Sequence, residues 1–254
     1  MEFPQKGACR TGRIFMFKER FKEILCANRL ESFATDAIAE RFEALTARML
    51  EVNAHMNLTA ITDEDGIILK HYTDSLIIAK LLPEGASVID VGCGAGFPSL
   101  PLAIARPDLR ITALDSTAKR INYISETAGI LGLDNISAVA MRAEEAASNP
   151  LYRENFDISC ARAVARFAAL CELCLPLVRV GGKFIAMKGH SEDEVAEAAG
   201  AIKKLGGKLE SSESYNISLP GGEENPRSAV VVKKNSLTPE NYPRNWSQIL
   251  KKPL

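Results

Sequence analysis

The sequence predicts an α/β fold, a mostly parallel, doubly wound seven-stranded sheet with one antiparallel strand, set behind an N-terminal helical region. Three observations predict it. From Ser87 onward, short apolar runs alternate with helical segments, and repeated strand-then-helix order means parallel strands covered on both faces. Before Ser87 the apolar residues recur at helical spacing instead. The last two strand segments have no helix between them, so they close the sheet as an antiparallel hairpin.

Composition is consistent with this. The 254 residues are 46% hydrophobic and 25% charged, ordinary values for a globular chain that buries a core. They exclude long disorder and small disulfide scaffolds. The most apolar stretch, Ser87 to Ala105, holds Asp90, a cluster of glycines and two prolines, so it is no membrane span. No apolar segment of the secretory type precedes Lys18. Six cysteines, at 9, 26, 93, 160, 171 and 174, are too sparse for a disulfide framework, and a reduced, cytoplasmic protein is expected. The net charge of -1 conceals a polarity. Residues 1–30 carry +4 and residues 227–254 carry +5, which leaves -10 for the middle. Basic ends of this kind either solvate the termini or meet a polyanion.

Taken in order, residues 1–15 have no period and read as an extension of uncertain order. A helical region spans 16–84. Its first helix starts at Met16 and puts Phe17, Phe21, Ile24 and Leu25 on one face. A second is capped by Thr35 or Asp36 and carries Ile38, Phe42, Leu45, Met49, Val52 and Met56. A third is capped by Thr62, with Asp63, Glu64 and Asp65 in its first turn, where the helix dipole favours acids. The domain 85–235 holds strands at 87–92, 111–115, 136–141, 156–162 and 181–189, with helices between them, then a hairpin of 208–218 and 228–233 around Pro220 to Gly222. Residues 236–254 form a basic tail.

The chemistry gathers after the first strand, in Asp90-Val-Gly92-Cys-Gly94-Ala-Gly96-Phe97-Pro98. Glycines there let backbone approach a ligand and adopt positive φ, at the carboxyl end of the sheet where such folds bind ligands. The dinucleotide pattern G-x-G-x-x-G fails, because Phe97 stands where its last glycine belongs. No Lys-Ser or Lys-Thr follows, so the loop is not a nucleotide-triphosphate cradle either. A ligand without pyrophosphate fits better, and Asp90 beside the loop would tolerate a cation. Asp115 ends the next strand about 20 residues on, where a carboxylate takes both ribose hydroxyls of an adenosine. A glycine loop, a ribose acid and room for a cation together suit S-adenosylmethionine, and hence a Rossmann-like class I S-adenosylmethionine-dependent methyltransferase. The alternative is a Rossmann protein with a degenerate loop.

The strings GCGAGFPSLPLAIARP (92–107), LDSTAKR (114–120), MRAEE (141–145), CARAVA (160–165) and AMKG (186–189) go further. With NLTAIT (57–62), KHYTDSL (70–76) and the ending Lys-Pro-Leu, they make residues 16–254 resemble the RsmG/GidB family. That resemblance implies methyl transfer from S-adenosylmethionine to N7 of a guanosine in 16S ribosomal RNA, with 16S rRNA or the 30S particle as partner and no metal. It places the cofactor against Gly92, Phe97, the Ala143-Glu144 pair and Arg162, with Gly94, Gly96 and Asp115 completing the loop and ribose contacts. Two departures stand out. Ser99 takes a position where the family often has glycine, and the stretch from Arg244 to Lys251 lacks the family's Gly and Pro.

The residue chemistry agrees with such a target. Guanine N7 has a free lone pair and no proton, so its methylation asks for alignment rather than a base, and alignment supplies roughly 7–11 kcal/mol of a barrier. The aromatic-proline motif of exocyclic-amine methylation is absent after the fourth strand, where Cys160-Ala-Arg162 stands. Cys160 follows Ser159 rather than proline, which argues against a cysteine nucleophile.

Other candidates divide between structure and function. Cys171 and Cys174 are a C-x-x-C inside an apolar helix, without the further ligands zinc needs. His71 and Asp74 share a helix face as a surface or capping pair, to which the resemblance adds a role in shaping the RNA side. Lys119 and Arg120 either steady the loop or touch phosphate. Phosphate contacts are expected of Lys188 at the fifth strand's end and of Arg244, Lys251 and Lys252 in the tail. The tail is remote in sequence from the glycine loop, so it is expected to bind RNA without affecting cofactor affinity. Two rivals are a small-molecule methyltransferase and a non-catalytic RNA-binding assembly factor. Methyl transfer to RNA discriminates the first, and S-adenosylmethionine binding the second.

Overall fold

A computed structural model of the chain describes residues 8–162, 165–189 and 192–254. Helix α1 runs Ala8–Ala27 and α2 runs Asp36–Met56. Thr35 caps α2 by accepting from the Ile38 N–H, as expected. The first helix starts at Ala8 rather than Met16, so part of the expected extension is helical; residues 1–7 lie outside the described residues. The third helical stretch is capped by Asp63, not Thr62, because the Asp63 carboxylate accepts from the Gly66 N–H at 2.7 Å. It consists of α3 (Glu64–Ile67), a π-helical turn Ile68–Thr73, α4 (Asp74–Ile77) and a 3-10 turn Ile78–Leu81. A π turn rotates successive side chains away from the regular stripe and is frequent at functional sites.

Strands β1 (Ser87–Val91), β2 (Arg110–Asp115), β3 (Ile136–Ala140), β4 (Phe156–Arg162) and β5 (Val178–Lys188) are parallel. They are separated by α5 (Ser99–Ala105), α6 (Ala118–Leu131), α7 (Ala143–Ser148) and α8 (Phe167–Cys174). After α9 (Glu192–Glu197) and α10 (Ala199–Lys204), β6 (Gly207–Ile217) and β7 (Asn225–Lys234) form the hairpin, and α11 (Trp246–Lys251) ends the chain. The order is β3-β2-β1-β4-β5-β7-β6, with β7 antiparallel to both of its neighbours. The chain leaves β1 toward β2 on one side and reaches β4 on the other, so the switch point lies between β1 and β4. Ligands of open α/β sheets bind there.

The N-terminal helices are not an independent layer. Phe17, Phe21, Ile24 and Leu25 are buried in the same hydrophobic cluster as Val88, Phe97 and Ile158 of the sheet. Rings connect the two regions. Phe21 meets Phe42 at 4.9 Å, Phe42 meets Tyr72 at 4.6 Å, and Tyr72 meets Phe97 at 6.1 Å between centroids. The helical stripe read from sequence therefore ends on the glycine loop's own aromatic residue.

Candidate active site

Strand β1 delivers the loop 92–98 to the sheet's carboxyl edge. Gly92 and Cys93 both donate backbone N–H to the Leu114 carbonyl, at 2.8 and 3.0 Å, and Gly94 has φ +56. A Cβ on Gly94 would meet only the Gly92 carbonyl, at 3.9 Å. Its Cα therefore faces open space into which a ligand can come close. Asp115 at the end of β2 is buried and accepts from the Gly94 N–H at 3.1 Å and the Thr117 N–H at 2.8 Å. Arg120 stands 3.5 Å from the same carboxylate.

Above this edge lies a cavity of about 530 Å³, lined from the ends of β1, β2, β3 and β4. Of the residues expected from the sequence, Gly92, Gly94, Phe97, Asp115, Ala143, Glu144 and Arg162 line it. Gly96 does not. Its φ is +88, and a Cβ there would lie 2.6 Å from Leu100, so it serves the turn and the packing of α5. Asp90 also differs from expectation, since its carboxylate faces Ser99 instead of the cavity. The Ser99 hydroxyl and N–H both donate to one oxygen, while Oδ1 has no partner. Burial pushes the Asp90 carboxyl up to about 6, and because it turns to Ser99 and does not line the cavity, it is not placed as the counter-charge of a cation there. The Ser99 departure is thus explained locally by a hydroxyl that satisfies a buried acid.

Phe97 is sandwiched into a small ionic network. His71 stacks on its ring at 4.5 Å with planes 10° apart, and the Arg162 guanidinium lies 5.4 Å from the ring centroid. Arg162 donates to the Lys70 carbonyl at 3.0 Å and pairs with Asp74 at 3.3 Å, while Arg227 pairs with the other Asp74 oxygen at 3.2 Å. His71 and Asp74 are therefore buried, not a surface pair: the π turn between α3 and α4 rolls both inward. Burial, then the charge of Arg162, holds the His71 imidazole down at about 4. It is neutral near pH 7, with Nε2 on the Thr59 hydroxyl at 2.8 Å and Nδ1 without a hydrogen-bond partner among the described residues.

A second cavity of about 620 Å³ adjoins the first and shares His71 and Arg162 with it. Lys70, Arg162, Arg166, Lys188 and Arg227 outnumber Asp74 and Glu194 in its lining, and Arg166 and Arg227 are paired with Glu197 and Asp74. Lys188 is already paired with Glu194. The cysteines at and behind the site offer no nucleophile: Cys93 is raised by burial and by Asp90, and Cys160, Cys171 and Cys174 are likewise buried and raised, while the exposed Cys26 on α1 lines neither cavity.

The tail departs most from expectation. Arg244 donates its backbone N–H at 2.9 Å, Nε at 2.8 Å and a terminal nitrogen at 2.6 Å to the fully buried Glu172. That guanidinium is committed to holding the tail against α8, whereas Lys251 and Lys252 stay exposed. Trp246, the chain's one tryptophan, reaches the first cavity beside Leu173. Nothing in its sequence neighbourhood signals this.

Residues 38–218 match the family described as rRNA small subunit methyltransferase G. The chain belongs to this family. The ribosomal RNA small subunit methyltransferase G of Lactobacillus delbrueckii subsp. bulgaricus is 46% identical over 220 residues, covering 85% of this chain and 91% of that protein. The Brevibacillus brevis relative of the same name is 43% identical over 242 residues, 94% of this chain and all of that protein. In fold alone, M. jannaschii TYW2 in complex with AdoMet covers 63% of this chain and 74% of its own at a TM-score of 0.52 and 15% identity. As a member of this family, the chain uses S-adenosylmethionine and methylates guanine N7 in 16S rRNA.

Proposed function

We propose that methyl transfer takes place where the two cavities meet, at His71 and Arg162, and that it works by positioning alone. The observation that carries this reading is the joining of a glycine-loop cavity to a cationic one through those two shared side chains. In the first cavity, Gly92 and Gly94 bring backbone against the cofactor, with Gly96 shaping the turn. Asp115 takes the ribose hydroxyls, and Phe97, Ala143, Glu144 and Arg162 complete the walls. When bound, S-adenosylmethionine supplies an activated methyl on a sulfonium.

The second cavity takes the acceptor strand. Its lining holds more cations (Lys70, Arg162, Arg166, Lys188 and Arg227) than acids (Asp74 and Glu194) in a chain whose middle is negative overall, so phosphate is drawn to this side. Lys251 and Lys252 extend the basic surface from the tail. Arg162 is held at the junction by buried Asp74 and stacked over Phe97, so its position is fixed before RNA arrives. His71 presents an uncharged ring there and does not repel a methyl donor that carries positive charge. N7 needs no proton removed, which matches a site where His71 is a weak base and Cys93 a buried thiol.

In this reading residues 85–235 are the methyltransferase domain, 16–84 a helical wall behind the glycine loop, 236–254 a tail and 1–15 an extension; the enzyme acts in the cytoplasm, where ribosomal RNA is made and assembled. The test is transfer of labelled methyl from S-adenosylmethionine to 16S rRNA and to 30S particles, followed by mapping of the modified nucleotide. Label on a guanosine N7 supports the reading, and the better of the two acceptors identifies the partner. Binding of the cofactor with no label on either RNA would overturn it.

A further inference from the structure

Besides Leu58, Thr59 and His71 from the N-terminal region, the C-terminal helix supplies a wall of the crevice that neither the glycine loop nor the sheet provides. Strand order sets a direction across the first cavity. The loop sits over β1, the ribose acid Asp115 ends β2, and Met141, Ala143 and Glu144 follow β3. An adenosine whose ribose lies on Asp115 therefore carries its base toward β3. Trp246 and Leu173 line the same cavity from α11 and α8, and Trp246 packs against the same hydrophobic cluster as Met141 and Ala143.

The indole is held there by anchors on either side of it. Before it, Arg244 makes three contacts with the fully buried Glu172 on α8, and Arg153 donates to the Tyr242 and Thr238 carbonyls at 2.8 and 2.9 Å. Asn245 caps α11 through the Gln248 N–H at 3.0 Å. After it, Ile249 is fully buried. Trp246 itself is half-buried and packs against the hydrophobic cluster that contains Leu173 and Ala146. A large aromatic side chain, half-buried and lining a cavity of about 530 Å³, suits a flat heteroaromatic partner.

We infer that the C-terminal helix is part of the cofactor pocket and that Trp246 packs its indole on the adenine of S-adenosylmethionine. The inference rests on the crevice reading above. The stretch that departs from the family pattern, from Arg244 to Lys251, is thus the stretch that supplies this contact. The tail acts on cofactor affinity as well as carrying basic charge.

The sequence contains a single tryptophan, so indole fluorescence reports on this position alone. The experiment titrates the full chain with S-adenosylmethionine, following indole fluorescence and calorimetric affinity in parallel, with adenosine and methionine as separate probes. S-adenosylmethionine and adenosine should both move the fluorescence, and methionine should not. Trp246→Ala should weaken cofactor affinity about tenfold, in the range seen when an aromatic stacked on a base is removed. Trp246→Phe should keep most of that affinity. In turnover, the KM for S-adenosylmethionine should rise in Trp246→Ala while the KM for RNA holds, a split that general loosening of the fold would not give. Bound cofactor with silent fluorescence, or unchanged affinity in Trp246→Ala, would overturn the inference while leaving the crevice reading standing. No calorimetric binding to the unaltered chain would overturn the crevice reading and this inference with it.

Discussion

The Asp115 carboxylate accepts the Gly94 N–H at 3.1 Å, so the acid placed to hold a ribose also braces the glycine loop. Its two oxygens are shared between Gly94 and Thr117, with Arg120 beside them. Removing it touches ligand and loop together. Asp115→Ala should cost roughly 1.5–3 kcal/mol of cofactor binding. Gly94→Val should cost more, because a branched side chain at φ +56 is strained and projects into the open cavity. Calorimetry with S-adenosylmethionine checks both. Unaltered affinity in both variants would remove the cofactor from this edge.

The His71 imidazole predicts a pH dependence of stability. Its folded value lies near 4 against an ordinary 6.5, so the unfolded chain binds the extra proton first. Stability from this group is complete above about pH 6.5 and is lost as pH falls toward 4, by at most about 1.4 kcal/mol per pH unit. Asp90 acts oppositely: its raised carboxyl, near 6, loses its stabilising contribution as pH rises from 3.8. The His71 share is therefore read by difference. The drop in Tm from about pH 7 to about pH 5 should be larger in the unaltered chain than in His71→Gln. Parallel curves for the two would contradict a neutral, buried His71.

Arg244 and the two terminal lysines should separate cleanly. Arg244→Ala leaves Glu172 buried without its partner, a change that costs about 3 kcal/mol at the lower end for such pairs. It should lower Tm markedly, and the double variant Glu172→Gln with Arg244→Ala should recover part of the loss. Lys251→Ala with Lys252→Ala should leave Tm nearly unchanged. If both lysines meet single-stranded phosphate, that double variant flattens the salt slope of RNA binding by about 1.4, at about 0.7 for each contact. A salt series of RNA binding with parallel melts measures all of this. An unchanged slope would move the RNA surface to the second cavity alone.

A chain beginning at Met16 should melt within a few degrees of the full chain and keep its methyl-transfer activity. Among the described side chains of α1, Phe17 is the first that is buried. A large loss of either property would show that the preceding segment is needed.

Much of this protein was legible in the sequence because its signals are local. Alternation of apolar runs with helical segments gave the sheet order of events, and Pro220 to Gly222 marked the hairpin that reverses β7. The D-x-G-x-G-x-G string followed by Asp115 located the cofactor edge, because backbone conformation and ribose recognition depend on residues close along the chain. Other features depend on what the fold brings together. Spacing put His71 and Asp74 on one face, but a π turn and two arginines from β4 and β7 decided that the face points inward. Gly96 shares the loop's composition with Gly94, yet Leu100 decides that it packs rather than lines the cavity. Charge alone put Arg244 with the terminal lysines, until a buried carboxylate on α8 claimed it. Trp246 had no local signal at all: a residue late in the chain reaches the site only through long-range packing, and packing is a property of the folded surface rather than of any stretch of sequence.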